Sequence, residues 1–207
     1  MSASSARSNI LKKIKTALEQ PTPLPFSDSQ GSESLFQPLQ EDLMVEFAEQ
    51  FTILQGKFDY CLSEGELLSH LQNLCLQQQW TKLYCEDEKL RALFPSVQWN
   101  NDIKTCEAAI TTCELLVART GSIILSSSLN QRIPSVYAPV HICVAYASQL
   151  VYDIKDALDY IGQKYQDNFP SLITLATGPS RTADIEKTLV VGVHGPKEVY
   201  CFLVESE

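Results

Sequence analysis

Apolar and polar positions along the chain switch repeatedly between a helical period and short continuous apolar runs. Ile10, Ile14, Ala17 and Leu18 share one stripe of a helix predicted over residues 5–20, with the lysines opposite. Residues 21–38, PTPLPFSDSQGSESLFQP, are rich in Pro and Ser and break regular structure. Helical spacing resumes over residues 41–54, where Leu43, Phe47, Phe51 and Leu54 recur on one face. The run Phe58–Cys61 reads as a strand, and Ser63 with Glu66 forms a capping box that opens a helix carrying Leu67, Leu71 and Leu74. Lys82–Cys85 reads as the next strand, followed by a helical piece over 87–94. Ser122–Leu125 and His141–Tyr146 are expected as buried strands. A helix over 152–165, a buried strand at Leu172–Ala176, a helix over 183–189 and a closing strand at Glu198–Val204 complete the pattern. Alternating strands and helices predict an α/β fold with a mainly parallel sheet flanked by helices. The organisation is a helical appendage with its connection over residues 1–40 and an α/β domain over 41–207. No internal repeat is visible.

Composition narrows the class. A chain of 207 residues with 44% hydrophobic content can bury a full core. The net charge of −9 argues against nucleic acid, which demands clustered Lys and Arg. Charge is uneven: Arg7, Lys12, Lys13 and Lys15 precede the first acid, Glu19, leaving 12 of the 16 bases against all 25 acids. Such a basic arm can pack on its own body, swap between protomers of a homo-oligomer, or dock on a partner, and the sequence leaves all three open. Its Ser-rich, acid-free composition is also that of a transit peptide, but the apolar stripe favours a surface amphipathic helix. No apolar core follows the charged start, and the longest uncharged stretch, Ile133–Tyr152, is too mixed to span a bilayer. A soluble cytoplasmic protein is expected, without membrane contact.

The seven cysteines fall at 61, 75, 85, 106, 113, 143 and 201 with no Cys-x-x-Cys pair. Iron–sulfur and structural zinc sites use closely spaced thiolates, so no metal centre and no cofactor are expected. Cys113 is disfavoured as a nucleophile, because no histidine is placed beside it by sequence.

The densest chemistry lies in Thr177–Pro196. A strand, the Gly178-Pro179 turn, then Ser180, Arg181 and Thr182 ahead of a helix would expose free backbone N–H groups at a positive helix end. Arg181 could clamp an anion in bidentate fashion or pair locally with Asp184 or Glu186; Ser180 and Thr182 are natural N-caps. His194, between Gly192 and Gly195, is the acid–base candidate by residue type, a buried hydrogen-bonded histidine being the alternative. His141 reads as core and His70 as half-exposed helix surface.

GPSRTADIEKTLVVGVHGPKEV resembles the C-terminal signature of the LUD-domain family, and within it the LutC-type lactate utilization proteins. Val117–Leu125 is similar to that family's A-x-T-G-[ST] segment, and Pro139–Ile142 with Ser148-Gln149 also fits, so the resemblance spans about residues 105–204. Arg119 stands where many members carry an acid. The resemblance implies a NagB/RpiA/CoA-transferase-like fold, with ligands at the carboxyl ends of strands. There Thr120, Gly121 and Ser122 would converge with Gly178, Pro179, Ser180, Arg181, Thr182, Asp184 and Gly195 around a small anionic metabolite. It also implies an accessory subunit of an iron–sulfur-dependent system oxidising L-lactate to pyruvate, acting with companion proteins that carry the clusters. The alternative is a stand-alone isomerase or CoA-transferase-like enzyme on an anionic substrate; a transferase needs a nucleophilic Glu, and Glu114 is nearest. Whether the chain catalyses anything is left open by sequence.

Overall fold

The computed structural model describes residues 3–19, 42–183 and 188–205. Within the N-terminal unit, Met1–Pro38, the described element is helix α1 (Ala3–Leu18); the Pro/Ser-rich stretch 21–38 lies outside the described residues.

The second unit, Leu39–Glu207, runs α2 (Leu43–Ile53), β1 (Lys57–Cys61), α3 (Glu64–Gln78), β2 (Leu83–Tyr84), α4 (Glu88–Leu93), β3 (Ala108–Thr111), β4 (Leu115–Val117), β5 (Ser122–Ser126), α5 (Arg132–Tyr137), β6 (Val140–Tyr146), β7 (Leu150–Val151), α6 (Ile154–Tyr165), β8 (Ile173–Ala176), β9 (Arg181–Thr182), β10 (Val190–Val191) and β11 (Glu198–Val204). The main sheet has the order β1-β11-β6-β3-β2 and every pair in it is parallel, as the alternation of elements predicts. A second sheet, β7-β4-β5-β8, was not foreseen; β4–β7 is parallel and its other two pairs are antiparallel.

Strand period explains how these layers stack. Along β11, Tyr200, Phe202 and Val204 face one way, joining Ile110 and Ile142 against Leu67 and Leu71 of α3 and Leu90 of α4. Val199, Cys201 and Leu203 face the other way, where they meet Phe47 and Phe51 of α2 and Ile123 and Leu125 of β5. The far face of the second sheet, Leu115, Val117 and Ile124, is covered by Ala157 and Ile161 of α6. Phe47 and Phe51 are wholly buried and stacked with ring centroids 5.4 Å apart, and full burial of such a side chain contributes about 1.5–3 kcal/mol.

Helix starts follow their caps. Asp42, Asp87 and Asp153 each accept a backbone N–H of the first turn, and Asp153 forms a full capping box with Asp156. At α3 the expected box is half made: Ser63 accepts from Glu66 N at 3.3 Å, but Glu66 reaches back to Leu62 N at 2.8 Å.

Two elements differ from expectation. Of the helix expected over 183–189, residues 184–187, including Asp184, lie outside the described residues; Ala183, Thr188 and Leu189 are not helical. Instead Arg181–Thr182 pairs antiparallel with Val190–Val191, so β-branched valines prevail over helix propensity there. β8 is an edge strand, so it is only partly buried, with Leu175 exposed.

The turn from β4 to β5 fixes how closely α2 can approach. Gly121 has φ +58°, and a Cβ there would stand 2.5 Å from the Phe51 backbone nitrogen and 2.6 Å from the Gln50 carbonyl carbon. Gly162 on α6 has open space around it. Gly121→Ala should lower unfolding free energy by about 2–3 kcal/mol, whereas Gly162→Ala should raise it by about 0.5–1 kcal/mol; urea midpoints of the two variants check both signs.

Candidate functional site at the amino-terminal edge of the parallel sheet

The stretch that follows β8 is held by backbone contacts more than by side chains. Ser122 opens β5 beside the end of β8, so its buried hydroxyl meets Thr177 Oγ1 at 2.9 Å and Thr120 Oγ1 at 2.8 Å. Gly178, at φ +78°, presses against the Leu54 carbonyl, from which a Cβ would be 2.5 Å away. Arg181 Nη2 donates to that same carbonyl, at the negative end of α2. Further on, Ser180 N donates to Pro196 O at 2.9 Å, Gly192 N to Ser180 O at 2.9 Å and Lys197 N to Pro139 O at 2.8 Å. Gly195 packs directly on Ser180, and Pro179 is buried.

These contacts bring Thr120, Gly121 and Ser122 together with Thr177 and Gly178, and separately join Ser180 to Gly195. Both groups lie at the edge from which β1, β6 and β11 begin, because the segment is stitched to the residues leading into those strands. The resemblance had implied the carboxyl ends of strands; relative to the main sheet this motif is at the opposite edge. Thr182 forms part of β9, while Asp184 lies outside the described residues.

Beside Gly195 opens a cavity of about 460 Å³ lined by Val136, Tyr137, Pro139, Gly192, His194 and Lys197, among others. His194 is exposed, which sets aside the buried alternative. An imidazole and an ammonium beside a phenol and glycine backbone can receive a small anion, by charge from Lys197 and by hydrogen bonding from His194.

Glu114 is elsewhere and fully engaged. Its side chain is wholly buried, with Oε2 accepting from Lys164 Nζ at 2.7 Å and Oε1 from Tyr165 OH at 2.6 Å and from Ser126 Oγ. Burial alone would raise its pKa; the bonds from Lys164, Ser126 and Tyr165 outweigh burial and hold it below the usual carboxylate range. Lys164 and Tyr165, at the end of α6, carried no sequence signal for this role. Next to it, the Cys143 thiol and burial hold Cys113 well above the ordinary thiol range, which leaves it inert. His141 is core as expected: its Nε2 meets Thr111 Oγ1 at 2.8 Å, and burial lowers it to about 4, so it stays neutral. Arg119 forms a two-bond pair with Asp153, at 2.8 and 3.1 Å, and thereby ties the β4–β5 turn to the cap of α6. Gln149 bridges Tyr146 N and the Cys113 carbonyl, so the Ser148-Gln149 segment also holds strands together.

Fold and edge together define an open α/β protein whose parallel sheet is backed by a smaller mixed one. The LUD domain matches residues 77–204. Lactate utilization protein C 1 of Bacillus mycoides is 33% identical over 193 residues, which is 81% of each chain. Lactate utilization protein C of Bacillus subtilis is 37% identical over 123 residues, covering 54% of this chain and 51% of that protein. The crystal structure of a DUF162-family protein from Deinococcus radiodurans superposes with a TM-score of 0.59, covering 78% of this chain and 96% of that one at 17% identity, a likeness of fold alone. The chain belongs to the LUD-domain family, within its lactate utilization protein C type. Apart from the Bacillus mycoides protein, it spans about half the length of the curated relatives it matches.

Glu114→Gln should cost about 1–3 kcal/mol, less than for a fully buried pair because Lys164 is 38% exposed and can hydrate when released. Since the folded pKa of Glu114 is depressed, its contribution is complete above the usual value of about 4.3 and is lost as pH falls through the lower folded value. Denaturation midpoints should therefore fall less steeply with acid in the variant than in the wild type.

Proposed function

We propose that this chain is the cluster-free component of a lactate-oxidising system, acting with companion proteins that carry iron–sulfur clusters and binding a small anionic metabolite at the His194–Lys197 cavity. The observation that carries this reading is the 33% identity to lactate utilization protein C 1, extending over 81% of both chains. Cysteine spacing in the sequence is consistent with it, because the chain carries no Cys-x-x-Cys motif of the kind that ligates clusters, and electron transfer would then reside in the companions. Carboxylates such as lactate or pyruvate match the cavity in charge and fit easily within about 460 Å³. The alternative of a transferase built on Glu114 is disfavoured, since both oxygens of that carboxylate are engaged by Ser126, Lys164 and Tyr165.

Deletion of the gene from its native cells should abolish growth on lactate, and the intact chain should restore it. Anaerobic affinity purification of the restored protein should recover cluster proteins with stoichiometric iron; a lone, iron-free chain would overturn the subunit reading. His194→Ala and Lys197→Ala remove exposed side chains and should change stability by less than about 0.5 kcal/mol, yet fail to restore growth. Arg181→Ala should restore growth while lowering stability by about 0.3–1 kcal/mol, the worth of a cation at a helix C-terminus. Normal growth with both cavity variants would remove the cavity from the function.

A further inference from the structure

Away from the motif edge, β1 and α3 bring three side chains of different donor type to one point. Extended backbone places Lys57, Asp59 and Cys61 on the same face of β1, the face covered by α3. His70 descends from α3 so that its Nδ1 lies 3.0 Å from Asp59 Oδ2 and 3.7 Å from Cys61 Sγ. All three donor atoms fall within 4.8 Å of one another. Cys61 is buried beneath, while Asp59 and His70 are partly exposed and border a cavity of about 320 Å³ with Asn73, Gln77 and Tyr200.

A hydrogen-bonded ion pair accounts for only half of this arrangement. One ring nitrogen can serve one partner with one proton, yet a carboxylate and a thiol both converge on it. A tetrahedral ion with bonds of about 2.0–2.3 Å holds its ligand atoms about 3.3–3.7 Å apart; the 3.7 Å from His70 Nδ1 to Cys61 Sγ meets this, and the 3.0 Å to Asp59 Oδ2 needs only a small side-chain adjustment. We propose that Asp59, Cys61 and His70 form a binding site for a divalent transition-metal ion of the zinc type, with its fourth position open to the adjoining cavity. Sulfur, nitrogen and oxygen donors together select such an ion over magnesium or calcium, which take oxygen alone. A thiolate, a carboxylate and a neutral imidazole would balance its two charges. Lys57, which lines the same cavity, is already compensated by Glu198 at 2.7 Å and Tyr200 OH at 2.8 Å. Displacing the thiol proton costs affinity, and the compact charge of the ion offsets it. Three protein ligands with one open position is the pattern of a site that admits water or an exogenous ligand.

Cobalt(II) titration of the full-length, chelator-stripped protein under reducing conditions tests this. One equivalent should produce a thiolate-to-cobalt charge-transfer band with tetrahedral visible bands, and zinc should displace it. Loss of an outer-shell partner alone weakens a metal site by about 10–100-fold, so His70→Gln and Asp59→Asn, both at partly exposed positions, should each cost more than about 100-fold. Circular dichroism should show both variants folded, so that a loss of cobalt binding reads the site and not the fold. Cys61→Ser should abolish the charge-transfer band, and Cys75→Ser should leave it unchanged. No band with cobalt in excess, or a band that survives His70→Gln or Cys61→Ser, would overturn the proposal.

Discussion

Everything at the amino-terminal edge depends on backbone pressed against backbone at the end of α2. Gly121 and Gly178 come from two different loops of the second sheet, and both sit where any side chain would collide with residues 50–54. Arg181 completes the seat by donating to the Leu54 carbonyl. This contact fixes the distance between the second sheet and β1, which begins three residues after Leu54. Phe47 and Phe51 can then pack between the two sheets. The glycines of the family signature thus act through the absence of side chains, as steric permission for a helix.

The parallel sheet was legible because its longer strands announce themselves. β6 and β11 are seven-residue runs buried along most of their length, and β1 is bracketed by a glycine and a capping serine. β3 was missed, since Ala108–Thr111 is four residues with two alanines and no turn signal of its own. The second sheet is hard to read for a related reason: β4 is three residues and β7 two, and they are strands because β4 finds β5 on one side and Leu150 and Val151 of β7 on the other. The stretch after Thr182 misled through propensity, whose small increments yield to pairing between Thr182 and Val190.

Site residues were legible as a neighbourhood and not as roles. Reading Thr120, Ser122 and the Gly178 turn as one locality agrees with the hydroxyl chain that joins them. Arg181 suggested an anion clamp, but its acceptor is a backbone carbonyl 127 positions away, which no local pattern can reveal. Glu114 illustrates the same limit, because the partners that neutralise it are 50 and 51 residues downstream. The juxtaposition of Asp59, Cys61 and His70 is illegible for the complementary reason that metal spacing rules rest on thiolate pairs. A strand offering alternate residues to a helix above it assembles ligands without any such pair.

The position of β11 sets a timetable for the ribosome. It lies between β1 and β6, pairing with one along Lys57–Cys61 and with the other along Val140–Tyr146. Lys57 and Tyr200 are 143 positions apart, so at about 5–20 residues per second β1 emerges roughly 7–30 s before the strand that must flank it. β6 follows β1, and for the last 58 positions of that interval, from Val140 to its partner Glu198, the nascent chain displays two unpaired strand edges, each able to recruit a neighbour on the same polysome. The centre of the sheet closes last, and a chaperone that shields apolar β-edges has its window there.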